Sequence, residues 1–87
     1  NRWAKIELFD LLWDSDIPDA GRDMVQAISD LVRSGEANAL ERMGRAYRDG
    51  KGVEKDLKKA EEMFSKASAK SGTAKRELAA LREIMND

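Results

Sequence analysis

The stretch AYRDGKGVEKDLKKAEEMFSKA, residues 46–67, sets two glycines one residue apart between two charged runs of helical spacing. A Gly-x-Gly of this kind either cradles a phosphate or bends the chain between two helices. Nucleotide loops need further glycines, in the patterns GxxxxGK[ST] or GxGxxG after a strand, and this chain has neither pattern. The bend, in contrast, gives every residue a task. Gly50 closes the first run where the backbone turns left-handed, a conformation in which glycine has no Cβ to clash. Gly52 permits a second sharp bend, and Val53 is expected to fold back as an apolar plug. Asp56 stands where the next helix wants an N-cap. The pair therefore reads as a hinge between helices.

Outward from the hinge, helical periodicity covers residues 3–13, 18–33, 37–48, 57–71 and 73–85, and nothing alternates like a strand for long. The first segment places Ala4, Leu8, Leu11 and Leu12 on one face and Ile6, Phe9 and Trp13 on another. Pro18 suits the first turn of the second, among acidic neighbours that favour the positive end of the helix dipole. Gly35 reads as that helix's C-terminal cap. In the fourth, Leu57, Ala60, Phe64 and Ala67 form one apolar stripe, with Lys58, Glu62 and Lys66 spaced for i,i+4 pairs outside it. Gly44 is mid-helix, where glycine costs about 1 kcal/mol against alanine, and close helix approach is the expected compensation.

An internal period connects these segments. Ala4, Ala39 and Ala74 stand thirty-five residues apart, as do Leu8, Met43 and Leu78, and Leu11, Ala46 and Leu81. Asp23, Ala27 and Leu31 match Asp56, Ala60 and Phe64 at an offset of thirty-three. Two helices per unit near thirty-five residues indicate a helical-hairpin solenoid. The fold class expected is all-α, a right-handed superhelix of about five antiparallel helices. Residues 1–35 form a degenerate unit, 36–72 a full one, and 73–87 a capping helix.

Ala39, Met43, Gly44, Tyr47, Gly50, Gly52, Val53, Asp56, Lys59, Ala60, Phe64, Lys66 and Ala67 together resemble the Sel-one-like repeat, a relative of the tetratricopeptide repeat. That pattern runs A-x-x-x-L-G-x-x-Y-x-x-G-x-G-V-x-x-D-x-x-K-A. Met43 replaces its leucine, Met63 and Ser68 depart from its ending, and Gly72 falls about one residue late. The resemblance implies a stack of antiparallel helices used as an adaptor surface without catalysis. The segment WAKIELFDLLW is also similar to repeat tails on bacterial surface-polysaccharide enzymes, which supplies an alternative, a structural tail on such an enzyme.

Composition narrows the function classes. There are 16 basic and 17 acidic residues, a net charge of -1, with no clustered basic excess of the sort that nucleic-acid binding requires. Cysteine and histidine are both absent, which removes the thiolate nucleophile, cysteine-ligated zinc and the commonest general base. Asp14, Asp16 and Asp19 suggest a calcium loop, but Asp19 and Val25 occupy the positions where that loop needs glycine and glutamate. Glu61 and Glu62 lie side by side on a lysine-rich face, where a solvated surface is expected rather than an acid–base pair. No catalytic, metal or cofactor site is expected, and no membrane span is visible. The lack of cysteine is compatible with a cytoplasmic location, which is favoured.

Arg42, Arg45 and Arg48 are the candidate partner contacts, recurring every three residues on the third helix to grip an acidic peptide. The period offers a competing reading. Arg42 is equivalent to Glu7 and Glu77, and Arg45 to Asp10, so stacked helices would form a row of inter-repeat ion pairs. Trp3, Phe9, Trp13 and Tyr47 read as packing. The first helix is apolar nearly all round, as a helix between two neighbours would be, while the last has a single stripe. The first residue is Asn rather than Met, and the chain is expected to be cut from a longer array extending toward its amino terminus. Alone, its first helix would expose apolar surface on which two copies could pair as a homodimer. The function expected is a non-catalytic scaffold that binds a protein or peptide.

Overall fold

A computed structural model describes residues 1–15 and 20–86 of the chain. Among them are five helices, α1 (Arg2–Trp13), α2 (Ala20–Arg33), α3 (Ala37–Asp49), α4 (Leu57–Ser68) and α5 (Gly72–Met85), and no strand. The protein is all-helical. Each helix packs against the next in chain order. The expected start at Pro18 and the acidic turn through Asp16 and Asp19 lie outside the described residues.

The ends of the helices follow from their capping residues. Asn1 caps α1, its side chain accepting from the Trp3 amide at 2.8 Å. At the end of α2, Gly35 adopts φ 80°, its amide donates to the Val32 carbonyl and that of Glu36 to the Leu31 carbonyl. This pair of bonds is a Schellman closure, and it needs the left-handed residue that glycine supplies. Gly50 also turns left-handed after α3, at φ 69°, with its own amide and that of Lys51 both returning to the Ala46 carbonyl. Asp56 then caps α4, its carboxylate accepting from the Lys59 amide at 3.1 Å while its own amide donates to the Tyr47 carbonyl at 2.9 Å.

The fourth helix stops at Ser68, three residues short of the expected 57–71. Ser71 is recruited instead as the N-cap of α5, accepting from the Ala74 amide at 3.1 Å. A residue whose side chain closes the next helix cannot also continue the last one.

Three apolar clusters form the core. Phe9, Met24, Ile28, Ala39 and Met43 join α1, α2 and α3, with Val53 folded onto them from the loop as expected. Ala60, Phe64, Leu78 and Leu81 join α4 to α5. Leu40, Ala67 and Ala74 form a third cluster, on which Met63 also packs. Tyr47 contacts the first two clusters and so spans the middle of the molecule. The stripe Leu57, Ala60, Phe64 and Ala67 faces inward as the spacing predicts.

Gly44 is buried beside Phe64, and a Cβ there would stand 2.6 Å from the ring. The close approach expected for this mid-helix glycine is thus to one identified side chain. Gly52 has a second function beyond the bend. It lies against the backbone of Gly21 in the first turn of α2, so the loop and α2 touch where neither carries a side chain.

Two expectations are corrected. On α1 the buried residues are Ile6 and Phe9, while Ala4, Leu8 and Leu11 are exposed. Their counterparts Ala39 and Ala74 are buried, as are Met43 with Leu78, and Ala46 with Leu81. The alanine-led stripe therefore shares one environment in α3 and α5 and not in α1. The reason is positional. In α3 and α5 this stripe lies on the helix before, and no described helix precedes α1. The second correction concerns α2, where Asp23 is exposed and Ala27 only half-buried. The buried residues are Ala20, Met24 and Ile28, so Met24 and Ile28 correspond to Ala60 and Phe64 at an offset of thirty-six rather than thirty-three. The buried residues of α2 and α4 thus correspond at nearly the spacing that separates those of α3 and α5.

Candidate partner surface

The arginines of α3 sit on a helix flanked by α1 and α5, and each meets a carboxylate. Arg42 binds Asp10 with two parallel bonds, Nε to Oδ1 at 2.8 Å and Nη2 to Oδ2 at 3.0 Å. Its remaining terminal nitrogen donates to the Asn38 carbonyl at 3.1 Å. Arg45 grips Glu77, with Nη2 to Oε1 at 2.8 Å and Nε to Oε2 at 3.1 Å, and also donates to Glu41. Arg48 forks onto its neighbour Asp49 at 2.9 and 3.1 Å and lies 3.6 Å from Glu77. Paired geometry of this kind is what the planar guanidinium favours.

Of the two readings open for these arginines, the structure supplies the ion pairs, with a changed pairing. Arg42, expected between two acidic helices, meets Asp10 of α1, and Glu77 of α5 goes to Arg45. Both bridges join residues thirty-two apart, whereas equivalent positions are thirty-five apart. Contact between neighbouring helices is therefore offset by three residues, about one helical turn. The charges swap, acid to base in the first bridge and base to acid in the second, while the offset stays the same.

Glu41 was not singled out by the sequence. It is 6% exposed, takes a hydrogen bond from Arg45 and another from the Ser71 hydroxyl at 3.1 Å. Burial raises its pKa first, and the neighbouring Glu77 adds to this, against the pull of Arg45. Glu77 and Glu41 hold the Arg45 guanidinium firmly charged, the hydrogen bond it donates to Glu77 leading. Asp49 is lowered by the hydrogen bond from Arg48. The i,i+4 relation of Glu41 and Arg45 was visible beforehand, but the burial of Glu41 depends on α5 closing over it. Gly21 was missed as well, since a glycine in a helix has no spacing signal to identify its contact.

The remaining polar surface offers short-range pairing. Arg82 meets Glu61 at 3.2 Å across α4 and α5, whereas the expected i,i+4 pairs of Lys58, Glu62 and Lys66 do not form. Arg2 meets Glu36 at 2.9 Å, and Lys5 binds Asp30, whose pKa it lowers. Phe9 and Trp13 stack with ring centroids 5.6 Å apart, and the Lys51 ammonium caps the Trp13 ring at 4.6 Å. Trp13 thus packs as expected, as do Phe9 and half-buried Tyr47, while Trp3 is 56% exposed.

That exposure continues along α1. At 100° per residue Trp3, Ala4, Leu8 and Leu11 share the side opposite Phe9. Leu8 is 44% and Leu11 75% exposed. Glu7 and Asp14 lie on the same side, both exposed. Neither makes an ion pair, and the Arg2 guanidinium lies over the Trp3 ring, 5.3 Å from its centroid. Among the described residues no helix is long and apolar enough to cross a membrane, and no three acidic side chains converge as a metal site would need. The chain matches no family model, no curated protein and no solved structure.

Proposed function

We propose that this chain is a non-catalytic helical-repeat module, a right-handed superhelix of the tetratricopeptide-like kind, that serves as a scaffold for binding another protein. The observation that carries this reading is the pair of bridges Asp10–Arg42 and Arg45–Glu77, which use equivalent positions at one constant offset. Helices related by a single repeated displacement produce that result, and a bundle of unrelated helices has no reason to. The Gly50–Gly52 turn and the Gly44–Phe64 contact fit the Sel-one-like resemblance of the sequence. The arginines of α3 are committed to internal bridges in this reading. The surface left to a partner is elsewhere, and α1 offers the apolar part of it.

A photo-crosslinking amino acid placed in turn at Leu11, Lys66 and Arg76 tests the proposal on α1, α4 and α5. In cells of the source organism, at least one position should yield a discrete adduct with a second protein. That adduct should vanish when the residue four positions away on the same face becomes lysine or, for a basic neighbour, glutamate. No adduct from any position would overturn the scaffold reading.

A further inference from the structure

Asp49 and Gly50 form the one Asp–Gly step of the chain, and no Asn–Gly step occurs. Such a step is chemically labile, because no Cβ on the glycine shields its amide nitrogen. That nitrogen can attack the carboxyl carbon of the preceding aspartate. The N–Cγ bond forms, the Cγ–OH bond breaks, water leaves, and the amide proton passes to solvent. The resulting succinimide then takes up one water at either carbonyl. Opening at Cγ restores aspartate, while opening at the main-chain carbonyl leaves isoaspartate, in which the backbone runs through Cβ and is one methylene longer.

The fold restrains both reacting groups. Asp49 is the last residue of α3, and the Gly50 amide donates to the Ala46 carbonyl, so the attacking nitrogen is already engaged. The carboxylate is held by Arg48, which donates from Nε to Oδ1 at 2.9 Å and from Nη2 to Oδ2 at 3.1 Å. A fork on both oxygens fixes the carboxylate and favours its ionised form. The reacting form is the neutral acid, from which water rather than hydroxide departs. Lys51 and Lys55 add their charges to the effect of Arg48. The Asp49 side chain is 40% exposed, so the water that opens the ring has access.

We propose that Asp49–Gly50 is a site of isoaspartate formation, and that the Arg48 fork is the guard that holds the reaction back in the folded chain. The product does not fit the turn. An added methylene withdraws the Gly50 amide from Ala46 and disturbs its left-handed φ of 69°. The bonds from the Lys51 amide to Ala46 and from the Asp56 amide to Tyr47, at 3.0 and 2.9 Å, depend on the same turn. Gly52 rests on Gly21 through the same loop. A change that leaves the mass unaltered thus loosens the joint between α3 and α4.

The test ages the intact chain beside Arg48→Gln, Arg48→Lys and Glu77→Gln, at a temperature where circular dichroism shows each one folded. Cleavage after glutamates releases the fragment 42–54, and electron-transfer fragmentation locates isoaspartate within it. Arg48→Gln should form isoaspartate at Asp49 about threefold faster than the parent, in keeping with the modest strength of a partly exposed pair. Arg48→Lys keeps the charge without the fork and should fall between them. Glu77→Gln removes the second acid near Arg48 but leaves the fork, and should match the parent. Synthetic peptides 42–54 with and without Arg48→Gln should react equally, and about tenfold faster than the folded parent, since they lack the cap. In the isoaspartyl chain the Lys51 and Asp56 amides should exchange hydrogen faster. Equal rates for the parent and Arg48→Gln would overturn the guard, and so would equal acceleration by Glu77→Gln. Isoaspartate arising first at another aspartate, or unchanged exchange at Lys51 and Asp56, would overturn the site and its effect on the turn.

Discussion

Gly21 and Gly52 touch backbone to backbone, so that a Cβ on Gly52 would lie 2.2 Å from the Gly21 carbonyl oxygen. The contact ties the first turn of α2 to the loop between α3 and α4. Gly52 has φ 77° in addition, so an alanine there meets two obstacles. Gly35 has φ 80° and nothing within 4 Å, so alanine there meets only the first.

Gly35→Ala should therefore cost about 1 kcal/mol, the ordinary penalty of a side chain in the left-handed region. Gly52→Ala should cost about 2–4 kcal/mol, since backbone atoms must also move. Gly21→Ala is the more demanding comparison, because helix propensity alone would favour alanine by about 1 kcal/mol. Its Cβ would lie 2.8 Å from the Gly52 Cα, and the net effect should be a loss. Urea denaturation of the three variants gives the ranking. Equal losses for Gly35→Ala and Gly52→Ala would show that the contact holds nothing.

Gly44 and Phe64 make a second pair, small against large. Propensity again favours Gly44→Ala by about 1 kcal/mol, and overpacking opposes it by about 1–3 kcal/mol. Phe64 is fully buried and cannot swing into solvent, so overpacking should prevail. Phe64→Leu opens room for the methyl group. The two changes together should then cost less than the sum of each alone, a coupling that a double-mutant cycle in urea measures. Additive losses would count against the contact.

How much of this could be read in advance depends on whether a residue's environment is local. The caps at Gly50, Asp56 and Gly35 were legible because each acts within a few residues of itself. The stripe of α4 was legible because one face of it is buried and spacing alone defines that face. On α1 spacing defined two apolar faces, and only the positions of α2 and α3 decide that Phe9 rather than Leu8 points inward. The end of α4 was misjudged because Ser71 belongs to α5 through a bond to Ala74 that spacing does not reveal. The ion pairs of the α3 arginines were legible as one of two readings, but which carboxylate each arginine meets was not. Period fixes which positions are equivalent, but the one-turn offset between neighbouring helices is a property of packing.

The two faces of α1 separate clearly in their expected responses. Phe9 is 1% exposed at the centre of a cluster, and Phe9→Ala should cost about 3–5 kcal/mol, much of the stability of a domain this small. Leu11 is 75% exposed, and Leu11→Glu should stay within about 0.5 kcal/mol of the parent. Thermal unfolding distinguishes them. A large loss for Leu11→Glu would mean that the outer face is covered within the chain itself.

Arg45 stands between Glu41 and Glu77, and removing it should leave two carboxylates facing each other with one of them buried. Arg45→Gln should cost about 1–3 kcal/mol at neutral pH, below the figure for a fully buried pair because the arginine is partly exposed. Acid should relieve that loss. Burial and Glu77 raise the pKa of Glu41, so the folded chain holds its proton more tightly than the unfolded chain. Stability from this group is present below the ordinary glutamate value and is lost as pH rises through the higher folded one. Asp49 and Asp30 act in the opposite sense. Their carboxylates are lowered by Arg48 and Lys5, so their contribution is present above the ordinary aspartate value and is lost as pH falls through the folded one. The Glu41 window lies above theirs, and the two effects separate along the pH axis. Denaturation of the parent, Arg45→Gln and Glu41→Gln across mildly acidic to neutral pH should show Arg45→Gln closing on the parent as Glu41 takes up its proton. In Glu41→Gln the decline above the ordinary glutamate value should be absent. An Arg45→Gln loss that stays constant from neutral pH into mild acid would mean that the guanidinium does not stabilise the charged form of Glu41.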